Sequence, residues 1–191
     1  MSGMITSLCF ALALSQGPAL SCPVMGNAIS GKPAEVIEFG GVQYGTCCKG
    51  CGATFLKDPA KALKGEKVKG KTVGTGLFDP VSGIRIDLTK AAAWADHEGV
   101  RYPFSSIANR DAFQKEPKKY AATPKQEALF CPVMSVPVAS MAKAHAYADH
   151  EGVRYYLCCG GCDSKFKANP AGFVANAKGK TAPAKARMIS G

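Results

Sequence analysis

Eight of the nine cysteines in this chain fall into two groups with the same internal layout. Cys22 is followed 25 residues later by Cys47-Cys48-Lys49-Gly50-Cys51, and Cys131 is followed 27 residues later by Cys158-Cys159-Gly160-Gly161-Cys162. A module of this size cannot bury enough apolar surface to fold securely alone and needs a staple. Two sequence-distant sulfur groups converging through a hairpin are how metal knuckles are built. The second group is placed to open a helix, where free N–H groups and the helix dipole favour thiolates. All-sulfur coordination selects Zn(II), Cu(I) or an iron–sulfur cluster over hard cations.

The candidate metal ligands are therefore Cys22, Cys47, Cys48, Cys51, Cys131, Cys158, Cys159 and Cys162. About one ion, copper(I) or zinc(II), is expected per group. A closed four-thiolate site suits structural zinc. Cu(I) is content with two or three thiolates, which would leave Cys48 and Cys159 spare or exchangeable. Met25 and Met134, each three residues after a leading cysteine, either cap the metal as auxiliary thioether ligands or fill the core. A disulfide reading also stands: four cysteines form two bridges, in three alternative pairings.

The cysteine groups lie in repeated sequence. Lys90–Tyr102 matches Lys143–Tyr155 except at Ala92/His145 and Trp94/Tyr147. Asp79-Pro80-Val81 aligns with Cys131-Pro132-Val133 and with Cys22-Pro23-Val24. Phe55, Phe113 and Phe166 each stand four residues before a proline, namely Pro59, Pro117 and Pro170. Three copies result, at 21–64, 78–122 and 130–176. In the first, Val36–Phe39 and Val42–Tyr44 flank Gly40-Gly41, a two-residue hairpin turn. Asp58-Pro59 and Asn169-Pro170 read as helix starts, an N-cap followed by proline. The fold class is α+β: small treble-clef-like metal knuckles, each a β-hairpin plus short helix, repeated three times. Between the copies, 65–77 and 123–129 read as linkers, the first basic, and 177–191 as a basic disordered tail.

The middle copy has no cysteine. Asp79, Ser105, Ser106 and Asn109 stand where the sulfurs would be, so it should fold by aromatic packing and by docking on its neighbours. Its alternative role is a polar pocket. His97 and His150 occupy equivalent turn positions, where the first copy has Phe39, so a site complete without histidine there needs none elsewhere. His145 reads as a strand-surface residue.

The apolar stretch Met4–Leu14 and the small residues after it give residues 1–20 the look of a secretory signal, although no Lys or Arg precedes Lys32. A periplasmic or otherwise exported location is expected, with a cytoplasmic one as the alternative. The stretch is too short to span a bilayer, and no other segment is apolar enough. The net charge of +10 is compatible with nucleic acid, but the lysines concentrate in linkers and tail without an arginine–aromatic stripe, which argues against that partner. No Ser-His-Asp arrangement, phosphate loop or Glu-x-x-His is present, so no catalytic residue is assigned and no enzyme activity is expected.

Taken together, copies one and three resemble the YHS/TRASH domains. The residues that carry the likeness are Cys22-Pro23-Val24, Gly41, Tyr44, Cys47, Cys51, Phe55 and Asp58-Pro59 in the first copy. In the third they are Cys131-Pro132-Val133, Gly152, Tyr155, Cys158, Cys162, Phe166 and Asn169-Pro170. The middle copy is similar to the cysteine-free YHS branch through Asp79-Pro80-Val81 and Phe104–Phe113. The resemblance implies treble-clef-like modules and heavy-metal buffering, trafficking or resistance, with a metal-transport or metal-acceptor protein as partner. A zinc-stabilised protein- or nucleic-acid-interaction module is the competing expectation.

Overall fold

The structure, a computed structural model, describes residues 20–189. The apolar segment read as a signal, and Cys9 within it, lie outside the described residues apart from Leu20. A hairpin of two five-residue strands followed by two short helices occurs three times. The first is β1 (Glu35–Phe39), β2 (Val42–Thr46), α1 (Cys51–Lys57) and α2 (Pro59–Leu63). After the short strand β3 (Gly74–Gly76) come β4 (Ala93–His97), β5 (Val100–Phe104), α3 (Ile107–Lys115) and α4 (Pro117–Tyr120). Three further short strands, β6 (Gln126–Ala128), β7 (Phe130–Cys131) and β8 (Val136–Pro137), precede the last hairpin. That one is β9 (Ala146–His150) and β10 (Val153–Leu157), with α5 (Cys162–Ala168) and α6 (Pro170–Val174) after it. The described residues end on β11 (Ala182–Pro183) and β12 (Arg187–Ile189).

Each hairpin turns through two residues with positive φ: Gly40-Gly41 (62° and 86°), Glu98-Gly99 (47° and 78°) and Glu151-Gly152 (49° and 78°). That is the turn whose twist matches the strands it joins, and it fixes the register. The helix starts follow the sequence. The Asp58 carboxylate accepts from the Lys61 N–H (2.9 Å) and the Asn169 side-chain oxygen from the Gly172 N–H (3.1 Å), each with proline next in line.

Linkers and tail differ from expectation. In the segment read as the first linker, β3 pairs antiparallel with β2 and parallel with β5, welding the first two hairpins into one sheet of order β12-β1-β2-β3-β5-β4. In the second linker, β6 joins β10 in a sheet of order β11-β6-β10-β9. The tail expected to be disordered instead supplies β11, which pairs with β6, and β12, which pairs with β1. The reason is electrostatic as well as geometric. Glu127 on β6 is buried and receives the Arg187 guanidinium and the Lys185 N–H (3.3 Å), and a buried carboxylate without such partners would be costly.

The apolar residues form two cores. One combines the first two units around Ile37, Tyr44, Phe55, Phe104 and Phe113. The other holds the third unit, around Tyr156, Leu157 and Phe166, and takes in Leu77 and Phe78 from the stretch between β3 and β4. Phe78 meets the Tyr147 ring edge-on at 5.2 Å.

Buried polar contacts join the third unit to the others. Glu38 is buried on β1 and accepts from the Met141 and Ala142 N–H groups, both at 2.9 Å. Arg154 holds Asp149 through two 2.8 Å bonds, stacks on Tyr147 at 3.9 Å, and donates to the Gly40 and Ala122 carbonyls. On the other side, Ile84 bridges to Ala146, with the Tyr147 N–H donating to the Gly83 carbonyl at 2.8 Å.

Candidate metal centres

Three turns of similar shape carry the leading residues. In the first, the Gly26 N–H donates to the Cys22 carbonyl and the Cys22 N–H to the Asn27 carbonyl, both at 2.8 Å. In the middle turn the Gly83 N–H donates to the Asp79 carbonyl (2.8 Å) and the Asp79 N–H to the Ile84 carbonyl (2.9 Å). In the third, Cys131 lies on β7 opposite Val136 on β8. Such a turn aims its backbone N–H groups at the side chain of its leading residue. The cysteine doublets follow β2 and β10 directly, and the last cysteine of each group is the first residue of α1 or α5.

The outcome is two groups of three sulfurs. Cys22, Cys47 and Cys51 have Sγ atoms within 4.8 Å of one another, and so do Cys131, Cys158 and Cys162. In each trio the first and last cysteines are buried and the middle one is half-buried. All eight described cysteines are free thiols. The fourth candidates, Cys48 and Cys159, are exposed and fall outside the trios, although their sulfurs lie 3.0 Å from Cys51 and 2.7 Å from Cys162.

The electrostatics differ along each trio. Burial opposes ionisation of Cys22, but N–H groups of Met25, Cys47 and Val24 and the Cys47 thiol outweigh it and hold Cys22 below the ordinary thiol value. Cys131 is lowered in the same way, against its burial, by the Cys158 and Met134 N–H groups and the Cys158 and Cys162 thiols. The other members rise. Burial and then the Cys22 thiol push Cys47 up, and burial with the Cys48 thiol raises Cys51 further. Cys158 is pushed up to about 11 by burial and by Cys131, and Cys162 rises through burial and Cys159. Each centre thus has one sulfur that ionises more readily than an ordinary thiol and two that ionise less readily and that a soft cation would have to deprotonate on binding.

Met25 and Met134 are exposed, and it is their backbone N–H groups that serve the leading sulfurs. His97 and His150 belong to neither trio; they pack edge-on against Phe113 and Phe166 at 6.0 and 6.4 Å.

The surroundings of the two centres differ. At the first, Glu35 accepts from the Gly52 N–H (2.9 Å) and the Thr46 hydroxyl (3.3 Å), and Met188 of β12 lies so close to Gly52 that a side chain there would strike it. At the second, the imidazole of exposed His145 lies beside Gly160, next to Cys159. Nothing in the cysteine spacing points to Glu35 or Met188. His145 was legible only as one of two differences between near-identical segments.

The middle unit closes the same turn without sulfur. The buried Asp79 carboxylate accepts from the Ser105 hydroxyl (2.6 Å), the Asn109 amide (2.7 Å) and the N–H groups of Val81 (2.9 Å), Ser105 (3.0 Å) and Ser82 (3.3 Å). Asp79, Ser105 and Asn109 occupy the positions of the three clustered cysteines, while Ser106, in the place of Cys48 and Cys159, caps α3 through the Asn109 N–H at 3.1 Å. Those bonds hold Asp79 below the usual carboxylate range in spite of its burial. Compared with protein-family models, curated proteins and solved structures, the chain gives no match.

Proposed function

We propose that this chain is an exported heavy-metal-binding protein that carries one soft ion, Cu(I) or Zn(II), on each of two three-thiolate centres and buffers it or passes it to an acceptor protein. The observation that carries this reading is the duplicated trio: two sets of three converging free thiols, each with a half-buried member and an exposed cysteine alongside. Soft thiolates select such ions, and an exposed fourth sulfur is what an incoming ion or an acceptor would meet first. The middle unit adds support. It shapes the same turn with hydrogen bonds alone, so the fold does not require metal at this position. The recurring hairpin and helix pair supports a reading as three treble-clef-like units of the YHS/TRASH kind, and this reading assigns no catalytic role.

The test is metal content per chain on anaerobically purified protein with Zn(II) and Cu(I) in competition. About two Cu(I) that displace zinc and yield to a chelator are expected. Changing Cys47 and Cys51 to serine should leave one ion, on the third unit. No bound metal together with no free thiols would overturn the reading.

A zinc-stabilised interaction module is the second reading. The closeness of Cys48 to Cys51 and of Cys159 to Cys162 favours it, since a small shift would close a four-thiolate shell. Two zinc ions that Cu(I) cannot displace would decide for it.

A further inference from the structure

Away from both centres, a cavity of about 1050 Å³ opens where the first two units meet the third. Its size is at the upper end of small-molecule sites, which run from about 300 to 1,000 Å³. Phe39, Val73, Phe78 and Val100 give it apolar walls. Tyr44 and Tyr102 also line it, and both are more than nine-tenths buried. Their rings pack on Phe55 and Phe113, but neither hydroxyl has a hydrogen-bonding partner among the described residues.

The placement of these two rings is built into the sheet. Tyr44 on β2 is opposite Gly74 on β3, and Tyr102 lies on β5 at the far side of the same strand. A Cβ on Gly74 would come within 2.7 Å of the Tyr44 ring, and one on Gly76 within 3.0 Å of the Tyr102 ring. Glycine at both positions lets the rings lie against the strand. Burial first, and then the neighbouring phenol, keeps Tyr44 protonated at any working pH; burial does the same for Tyr102. Both are therefore protonated hydroxyls with no acceptor among the described residues.

The charge at the cavity leans positive. Of the carboxylates in its lining, Glu66 is bridged to Lys69 (3.8 Å) and Asp96 to Arg101 (2.9 Å), while Glu98 has no Lys or Arg partner among the described residues. Lys64 makes no ion pair among the described residues, and the Lys71 ammonium donates only to the Gly26 carbonyl at 2.7 Å. Apolar walls, two donors unpaired among the described residues, and the Lys64 and Lys71 ammonium groups against the single Glu98 carboxylate suit an amphiphile with an anionic head.

We propose that this cavity binds a small organic carboxylate with an apolar body, its head on the Tyr44 and Tyr102 hydroxyls. The site is separate from the cysteine centres and stands whichever metal they hold. The test is calorimetric titration of the zinc-loaded full chain with decanoate and, in parallel, with decanol. One decanoate per chain is expected, with decanol at least tenfold weaker. Tyr44→Phe with Tyr102→Phe should weaken decanoate roughly tenfold per hydroxyl and leave metal content unchanged. No saturable binding, equal affinity for decanol, or full affinity in the double variant would overturn the proposal. If that variant fails to fold, the comparison of decanoate with decanol on the native chain decides.

Discussion

Replacing Asp79 with alanine tests whether the middle unit is locked by hydrogen bonds where its neighbours use sulfur. The side chain accepts five bonds and is wholly buried. The Ser105 hydroxyl and the Asn109 amide sit on exposed and half-exposed residues, so both can turn to water when the carboxylate is gone. The backbone N–H groups of Val81, in the turn, and Ser105, just after β5, are fixed and cannot. Charging about 1–1.5 kcal/mol to each of those two, and about 1 kcal/mol to the remaining three together, gives a loss of about 3–4 kcal/mol. Domains of ordinary stability have about 5–15 kcal/mol in all, so the effect is large. With a urea slope of about 2 kcal/mol/M, the unfolding midpoint should fall by about 1.5–2 M. Trp94, the chain's one tryptophan, lies on β4 of the same unit and reports the transition by fluorescence. Asp79→Asn adds a pH signature. The native carboxyl is held below its unfolded value, so its stabilisation is complete above about pH 4 and fades as pH falls through the lower folded value. The asparagine variant should lose that part of the acid limb. A midpoint shift under about 0.5 M, or acid limbs that superimpose, would refute the hydrogen-bond lock.

Two further outcomes follow from the alignment of the three units. Introducing Asp79→Cys, Ser105→Cys and Asn109→Cys together should raise the metal load from two ions per chain to three; a load that stays at two, in a variant shown to fold, would mean the turns are less alike than their bonding indicates. The residue four places after each leading residue has positive φ: Gly26, Gly83 and Ser135 (54°). A Cβ on Gly83 would stand 2.3 Å from the Tyr147 carbonyl, so Gly83→Ala should cost about 2–3 kcal/mol, whereas Ser135→Gly should be neutral or stabilise by up to about 1 kcal/mol, both measured by urea unfolding.

The parts of the fold that were legible are those where one residue type has one physical use. Gly40-Gly41 fits only a tight hairpin, Asp58-Pro59 and Asn169-Pro170 fit helix starts, and the spaced cysteines fit a convergence of sulfur. What could not be read was partnership. β3, β6, β11 and β12 are two or three residues long, too short for a strand period, and they are strands only because a hairpin edge, or for β11 the strand β6, offers them bonds. Tail residues rich in lysine looked solvated, yet Arg187 is drawn in by Glu127, a residue whose burial nothing local announces. The place of the fourth cysteine in each group could not be read either. Adjacency in Cys47-Cys48 and Cys158-Cys159 leaves open which sulfur joins the other two; in each pair the first sits in the trio and the second is exposed beside it, 3.0 Å from Cys51 and 2.7 Å from Cys162.

The places where the units differ are also the places where they meet. At equivalent hairpin positions the second and third units hold an arginine–aspartate pair, Arg101 with Asp96 and Arg154 with Asp149. The first unit has Gln43 there, and a 3.5 Å contact leaves the Glu38 carboxylate free to accept the Met141 and Ala142 N–H groups of the third. Arg154 reaches back to Gly40 in the first hairpin turn. The two cysteine-bearing units are therefore bonded directly to each other, while the first shares its core with the cysteine-free unit. A knuckle standing alone gains much of its fold from its metal. Here the first centre rests on a core it shares, so losing an ion bound there should loosen the Cys22 turn and the start of α1 while the surrounding sheet persists. That is the condition under which a thiolate site can give up its ion and take another without unfolding the protein around it.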